Sequence, residues 1–234
     1  MLSDIMRRAR TFLAISLPVV LILVWPITVN AVSPSASDTR PRIVAFGDSL
    51  TAGLGVQADE SYPAQLQRRL DDLKYPYRVI NAGVSGDTTA GGLRRVPWIL
   101  KNEPELVILE LGANDGLRGL SVDQTKSNLR QIVKQLKEAG AAVVLAGMKL
   151  PPNYGKDYTT RFEAIYPALA QEYHLPLIPF FLEGVGGASS LNQADGIHPT
   201  KDGYEIVVEQ VLKVIKAVLN ERLQEPGVAQ TSGH

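Results

Sequence analysis

The chain has 234 residues, 45% hydrophobic and 21% charged, ordinary globular values that exclude a wholly disordered or low-complexity chain. The 24 Lys and Arg balance 24 Asp and Glu, so a nucleic-acid partner bound through a broad basic surface is not expected. Without cysteine there are no disulfides, no thiolate catalysis and no Cys-bound zinc or iron–sulfur cluster, and 3 histidines are too few for a His-rich metal centre.

Arg7, Arg8 and Arg10 precede an uncharged stretch over residues 11–37, whose core is mostly Leu, Ile, Val and Ala. Small residues close it, from Asn30-Ala31-Val32 to Ser37. A positive start, an apolar core and a small-residue exit describe a secretory signal, with Val29-Asn30-Ala31 as the candidate cleavage site. About 20 apolar residues also suffice to cross a bilayer. Residues 1–37 are therefore read as a signal peptide or a membrane anchor, the anchor associating through residues 11–32. Pro18, Pro26 and the small-residue exit favour cleavage.

Beyond this segment, short apolar runs alternate with segments of helical period. The runs are residues 42–46, 77–81, 105–111, 141–147 and 176–180, each rich in Val, Ile or Leu. Continuous apolar character predicts strands buried on both faces. Helices are expected over residues 62–73, 88–101, 122–139, 158–173 and 201–219. In the third, Val122, Leu129, Ile132, Val133 and Leu136 recur near helical spacing, and Gly140 follows as a stop. Five strand–helix units predict one α/β domain over residues 38–224, a parallel sheet with helices on both faces. Residues 225–234 read as a loose tail.

Ligands of such folds bind beyond the carboxyl ends of the strands. Polar and glycine-rich groups sit there: Gly47-Asp48-Ser49, then Gly83 to Asp87, then Gly112-Ala113-Asn114-Asp115-Gly116. A fourth group, Asp195-Gly196-Ile197-His198-Pro199, precedes the last helix. A serine nucleophile needs an adjacent base, and His198 is the best placed of the histidines. Asp195, three residues earlier, is spaced to accept from one ring nitrogen while the other faces a serine. Ser49, on a tight turn after a strand, is the candidate nucleophile. The developing oxyanion needs donors, for which the Ser49 N–H, the Gly83 N–H and the Asn114 amide are candidates. Each group alone is also an ordinary turn or helix-entry sequence; their weight lies in sharing one edge of the sheet.

Together, Gly47-Asp48-Ser49-Leu50, Gly83, Gly112-Ala113-Asn114-Asp115 and Asp195-Gly196-Ile197-His198 resemble the four blocks of the SGNH (GDSL-type) hydrolases. Ser85-Gly86-Asp87-Thr88-Thr89, Asn114-Asp115-Gly116-Leu117-Arg118-Gly119, Leu150 to Gly155 and Pro179-Phe180-Phe181 resemble one branch, bacterial periplasmic acyl-CoA thioesterases, lysophospholipases and arylesterases. The resemblance implies a three-layer α/β/α sandwich of flavodoxin-like type with a five-stranded parallel sheet. It implies Ser49 as nucleophile, His198 as base and then acid, Asp195 as its orienting partner, and Ser49, Gly83 and Asn114 as the oxyanion hole. It also implies an exported, periplasmic serine esterase acting on small-molecule esters, lysolipids and thioesters, with no cofactor and no metal. An inner-membrane anchored enzyme facing the periplasm is the alternative localisation. Oligomeric state has no signal in the sequence.

The loops at residues 116–121 and 150–158 are candidates for the acyl groove, with Leu117 and Tyr154 as wall residues. The competing functions are a carbohydrate or cell-wall O-deacetylase with the same triad, a non-catalytic binding protein, and a metal phosphatase built from Asp48, Asp115, Asp195 and His198.

Overall fold

The computed structural model describes residues 38–224. The expected signal or anchor segment and the tail lie outside the described residues. Five strands form one parallel sheet: β1 (Arg42–Gly47), β2 (Arg78–Gly83), β3 (Pro104–Glu110), β4 (Ala142–Ala146) and β5 (Leu177–Ile178). Their order is β2-β1-β3-β4-β5. β1, β3 and β4 are the central strands. Ile43 to Phe46, Leu106 to Leu109 and Val143 to Ala146 are buried on both faces, as continuous apolar runs require.

The outer strands depart from that rule. In β2, Val79 and Ile80 are half-buried and Asn81 is exposed, because only β1 pairs with it. β5 holds just two residues of the expected run at 176–180. An edge strand needs less apolar surface and fewer ladder bonds.

The helices are α1 (Ser49–Ala52), α2 (Tyr62–Asp72), α3 (Thr89–Leu100), α4 (Ala113–Leu117), α5 (Val122–Glu138), α6 (Lys156–Glu163), α7 (Ile165–Tyr173) and α8 (Lys201–Gln224). Among the described residues none is long and apolar enough to cross a membrane. α2 packs beside α8, and α3 beside α5. Right-handed crossovers put the helix entering β2 on one face and those entering β3, β4 and β5 on the other. The result is the three-layer sandwich. All five apolar positions picked out in the third helix are buried against the sheet, joined by Thr125 and Asn128.

The helix expected over 158–173 is two helices meeting at Ala164. Pro167 is the cause: it has no N–H for the Glu163 carbonyl, and its ring crowds that carbonyl. The one-turn helices α1 and α4 are too short to show a hydrophobic period, and both carry functional residues.

The chain leaves β1 toward β2 and then crosses back to β3. β1 and β3 therefore flank the point where strand order reverses, and the crevice beyond it is where such sheets bind ligands.

Candidate active site

β1 ends in Gly47, and no larger residue fits there: a Cβ would strike the Thr51 hydroxyl and the Glu110 carboxyl. Asp48 caps α1, accepting the Leu50 N–H on Oδ1 at 3.0 Å. Ser49 is thus the first helical residue, with its N–H free of protein acceptors among the described residues. The turn ends at once on Gly53, whose φ is +80°.

His198 arrives on the loop between β5 and α8. Its Nε2 lies 2.8 Å from Ser49 Oγ, and its Nδ1 lies 2.7 Å from Asp195 Oδ2. The other Asp195 oxygen accepts the backbone N–H groups of Ile197 and His198 at 2.9 and 3.0 Å. Those two bonds, then the imidazole, hold the Asp195 carboxyl down at about 2. An ionised Asp195 selects the tautomer with hydrogen on Nδ1, which leaves Nε2 as acceptor for the serine proton.

Two residues that sequence reasoning passed over hold this loop. The Gln193 backbone N–H donates to the His198 carbonyl at 2.7 Å. Its side-chain amide donates to the Leu54 carbonyl at 2.7 Å and to the Pro199 carbonyl at 3.1 Å. Asn192 is buried and donates to the Val185 and Ala188 carbonyls at 2.6 and 2.9 Å. Their signal was present in Asn192-Gln193, two amides just ahead of Asp195.

Asn114 lies in the first turn of α4. Its Nδ2 donates to Asp48 Oδ2 at 3.0 Å, and Arg118 donates to its Oδ1 at 3.4 Å. Held at both ends, the amide keeps its second N–H for another acceptor. Asp115 turns inward instead, accepting from the Thr89 N–H at 2.8 Å and the Thr89 hydroxyl at 2.6 Å. It is thereby taken out of the cation site imagined from Asp48, Asp115, Asp195 and His198.

Gly83 does not stand where the sequence reading put it. Its N–H donates to Asn81 Oδ1 at 2.9 Å and is already satisfied. The glycine is required by packing, since a Cβ would run into the Ala52 backbone of α1. The N–H three residues on is different. Residues 84–87 form a turn closed by Asp87 N–H to the Val84 carbonyl at 3.0 Å, with Gly86 at φ +78°. Among the described residues the Gly86 N–H has no partner, while its carbonyl accepts from Arg118 at 2.9 Å. Arg118 therefore ties the Gly86 turn to Asn114. Arg95 braces the same region, donating to Asp87 at 2.8 Å, to the Ala82 carbonyl at 2.9 Å and to the Gly47 carbonyl at 3.0 Å.

A mostly apolar cleft of about 400 Å³ opens beside Ser49, lined by Leu50, Leu117, Met148, Leu150, Phe180 and Ile197 among others. Leu117 is among the residues that line this cleft. Tyr154 is not among the lining residues; its hydroxyl donates to the Leu117 carbonyl at 3.0 Å. A larger cleft of about 640 Å³ between α2 and α8 is lined by charged residues such as Arg68, Arg69 and Glu205, away from the triad.

Residues 45–206 match the GDSL-like Lipase/Acylhydrolase family. The chain is 46% identical over 178 residues to "Esterase TesA" of Pseudomonas aeruginosa, covering 76% of this chain and 89% of that protein. It is 42% identical over 187 residues to "Thioesterase 1/protease 1/lysophospholipase L1" of Escherichia coli strain K12, covering 80% and 87%. A solved structure entitled "Crystal Structure of TesA" superposes with a TM-score of 0.73 at 46% identity, covering 76% of this chain and 99% of that one. With the sheet order, the Ser49–His198–Asp195 contacts and these likenesses in agreement, the chain belongs to the GDSL-like Lipase/Acylhydrolase family.

Proposed function

We propose that this chain is a serine esterase that hydrolyses carboxylic esters, and thioesters, of acyl chains through a covalent acyl-enzyme. The observation that carries the reading is the continuous contact from Asp195 through His198 to Ser49, at 2.7 and 2.8 Å. Nε2 takes the serine proton as Oγ attacks the substrate carbonyl, and the imidazolium then gives that proton to the leaving alcohol or thiol. Water activated by the same nitrogen attacks the acyl-enzyme, releasing the acid and restoring the serine hydroxyl.

In this reading the tetrahedral oxyanion is met by the Ser49 N–H, the free amide hydrogen of Asn114 and the Gly86 N–H, in place of Gly83. Support for Gly86 is its unpartnered N–H on a turn tied to Asn114 by Arg118. All three donors are fixed before substrate arrives, which is what makes such a hole effective.

The apolar cleft beside Ser49 supports an acyl chain over an acetyl group, and so the esterase over an O-deacetylase. The relatives named above, an esterase and a thioesterase/lysophospholipase, point the same way. The substrate is a small molecule of the ester or lysolipid class. Export by residues 1–37, to the periplasm, is part of this proposal and rests on the sequence pattern.

The test is hydrolysis of p-nitrophenyl esters from acetyl to long acyl, beside labelling by a serine-reactive phosphonate. A medium or long optimum, with turnover and label both lost in Ser49→Ala, is the expected result. A sharp acetyl preference would move the assignment to the deacetylase.

A further inference from the structure

Beneath the Ser49 turn lie two carboxyl groups that take no part in the proton transfers above. Glu110, the last residue of β3, is fully buried, and Asp48 nearly so. Glu110 Oε2 accepts the Thr51 hydroxyl at 2.7 Å and the Asp48 N–H at 3.3 Å. No donor among the described residues reaches its Oε1. Both oxygens of Asp48, by contrast, accept N–H groups, from Leu50 and from the Asn114 amide.

The Asp48 N–H contact sets the two acids side by side in a buried site, where two negative charges would repel and a proton on one of them removes the conflict. Acceptor duty tells the partners apart. Asp48 meets donors on both oxygens and is the ionised member. Glu110 has an oxygen that no donor satisfies, and a proton there converts an orphan acceptor into a donor.

We propose that Glu110 and Asp48 form a buried carboxyl pair that carries one proton, on Glu110, and that neutral Glu110 is a positioning residue, fixing the Asp48 backbone and Thr51 and through them the Asn114 amide and the Ser49 turn.

The surroundings fit a single negative charge. The titratable groups whose charge bears on Glu110 are Tyr62 from α2, Tyr166 from α7 and Tyr204 from α8, and the one that bears on Asp48 from the loop before α8 is His198. Burial raises all three phenols, so they stay neutral. Burial likewise pushes Asp48 up to about 6 and Glu110 well above the usual carboxylate range. Two adjacent carboxylates here would repel, and among the described residues no Lys or Arg is buried to offset them. Gly47 belongs to the same device, because any side chain there would occupy the space of the Glu110 carboxyl.

The kinetic arm of the test rests on Ser49 and Asn114 having the roles proposed above; the spectroscopic arm does not. Infrared difference spectra of wild type minus Glu110→Gln are expected to show a protonated carboxyl band at neutral pH. Only carboxylate bands would overturn the proposal. Glu110→Gln, which preserves a neutral donor and an acceptor, should keep kcat within about threefold. Glu110→Met should lower kcat about 10–100-fold with KM unchanged, the cost of leaving the Asp48 charge and the Thr51 hydroxyl without their partner. Equal losses in Gln and Met, or wild-type kcat in Met, would also overturn it. If Met fails to fold, the infrared band and the Gln variant decide. Loss of turnover in Ser49→Ala beside an absent band separates a failed pair from a failed esterase reading.

Discussion

The Gln193 side-chain amide donates to the Leu54 carbonyl across 2.7 Å, joining the loop that carries His198 to the loop that follows the Ser49 helix. The residues are far apart in sequence, and this bond bridges the two halves of the triad. Gln193→Ala should therefore lower kcat about tenfold with a smaller change in KM, and lower Tm by a few degrees. Steady-state kinetics beside a melting curve check it; an equal loss in KM would show that the amide serves binding instead.

Asn114→Ala should cost about 10²–10³ in kcat if its free amide hydrogen meets the oxyanion. The substitution also leaves Asp48 Oδ2 without its donor, so Asn114→Asp is the informative companion. It preserves volume but sets a third carboxyl against Asp48, and should be worse than Ala. Pre-steady-state acylation with an activated ester separates the two.

Asp195→Asn should keep the fold and lose about 10²–10⁴ in kcat, since the amide no longer selects the Nδ1–H tautomer. The acid range offers a second readout. The folded Asp195 carboxyl sits near 2, below its ordinary unfolded value of roughly 4. Its stabilisation is thus present above about pH 4 and disappears as pH falls through about 2. The Tm difference between wild type and Asp195→Asn should close over that window. It should be small throughout, because the side chain is nearly half exposed.

Leu117→Trp narrows the apolar cleft and should move the chain-length optimum toward shorter acyl groups, leaving the rate on acetyl esters near wild type. Tyr154→Phe removes the hydroxyl that holds the Leu117 carbonyl and should raise KM for long chains while sparing short ones. A profile of kcat/KM against chain length tests both. An unshifted optimum in Leu117→Trp would take this cleft out of acyl binding.

Gly47→Ala puts a methyl group into the Thr51 hydroxyl and the Glu110 carboxyl, and neither is a flexible surface group. Overpacking of about 1–3 kcal/mol is expected, with a lowered denaturation midpoint and lost turnover.

Much of this site was legible in the residues. Ser49, Asp195 and His198 are brought together as their spacing implied, because each follows or precedes an element whose apolar run was plain. Gly83 was misread because a glycine after a strand serves tight packing as readily as ligand approach. Deciding between them needs to know that α1 lies against it and that Asn81 takes its N–H. Glu110 was hidden for another reason. It closes an apolar strand, where a charged residue reads as the point of exit to solvent, and only the tertiary structure reveals that it remains inside. Arg95 and Arg118 were similarly invisible, since their partners are carbonyl oxygens, which carry no sequence signature.

The carboxylate and the base of the triad are only three residues apart, aligned by a turn whose own backbone N–H groups grip the carboxylate. Their mutual geometry is thus a local property, indifferent to small shifts of the sheet. Of the two contacts in the relay, just one, from His198 to Ser49, must be set by the fold as a whole. Within the triad there is thus a single long-range tolerance to maintain. Surface away from the triad and the oxyanion donors is free to vary as long as that one gap is kept.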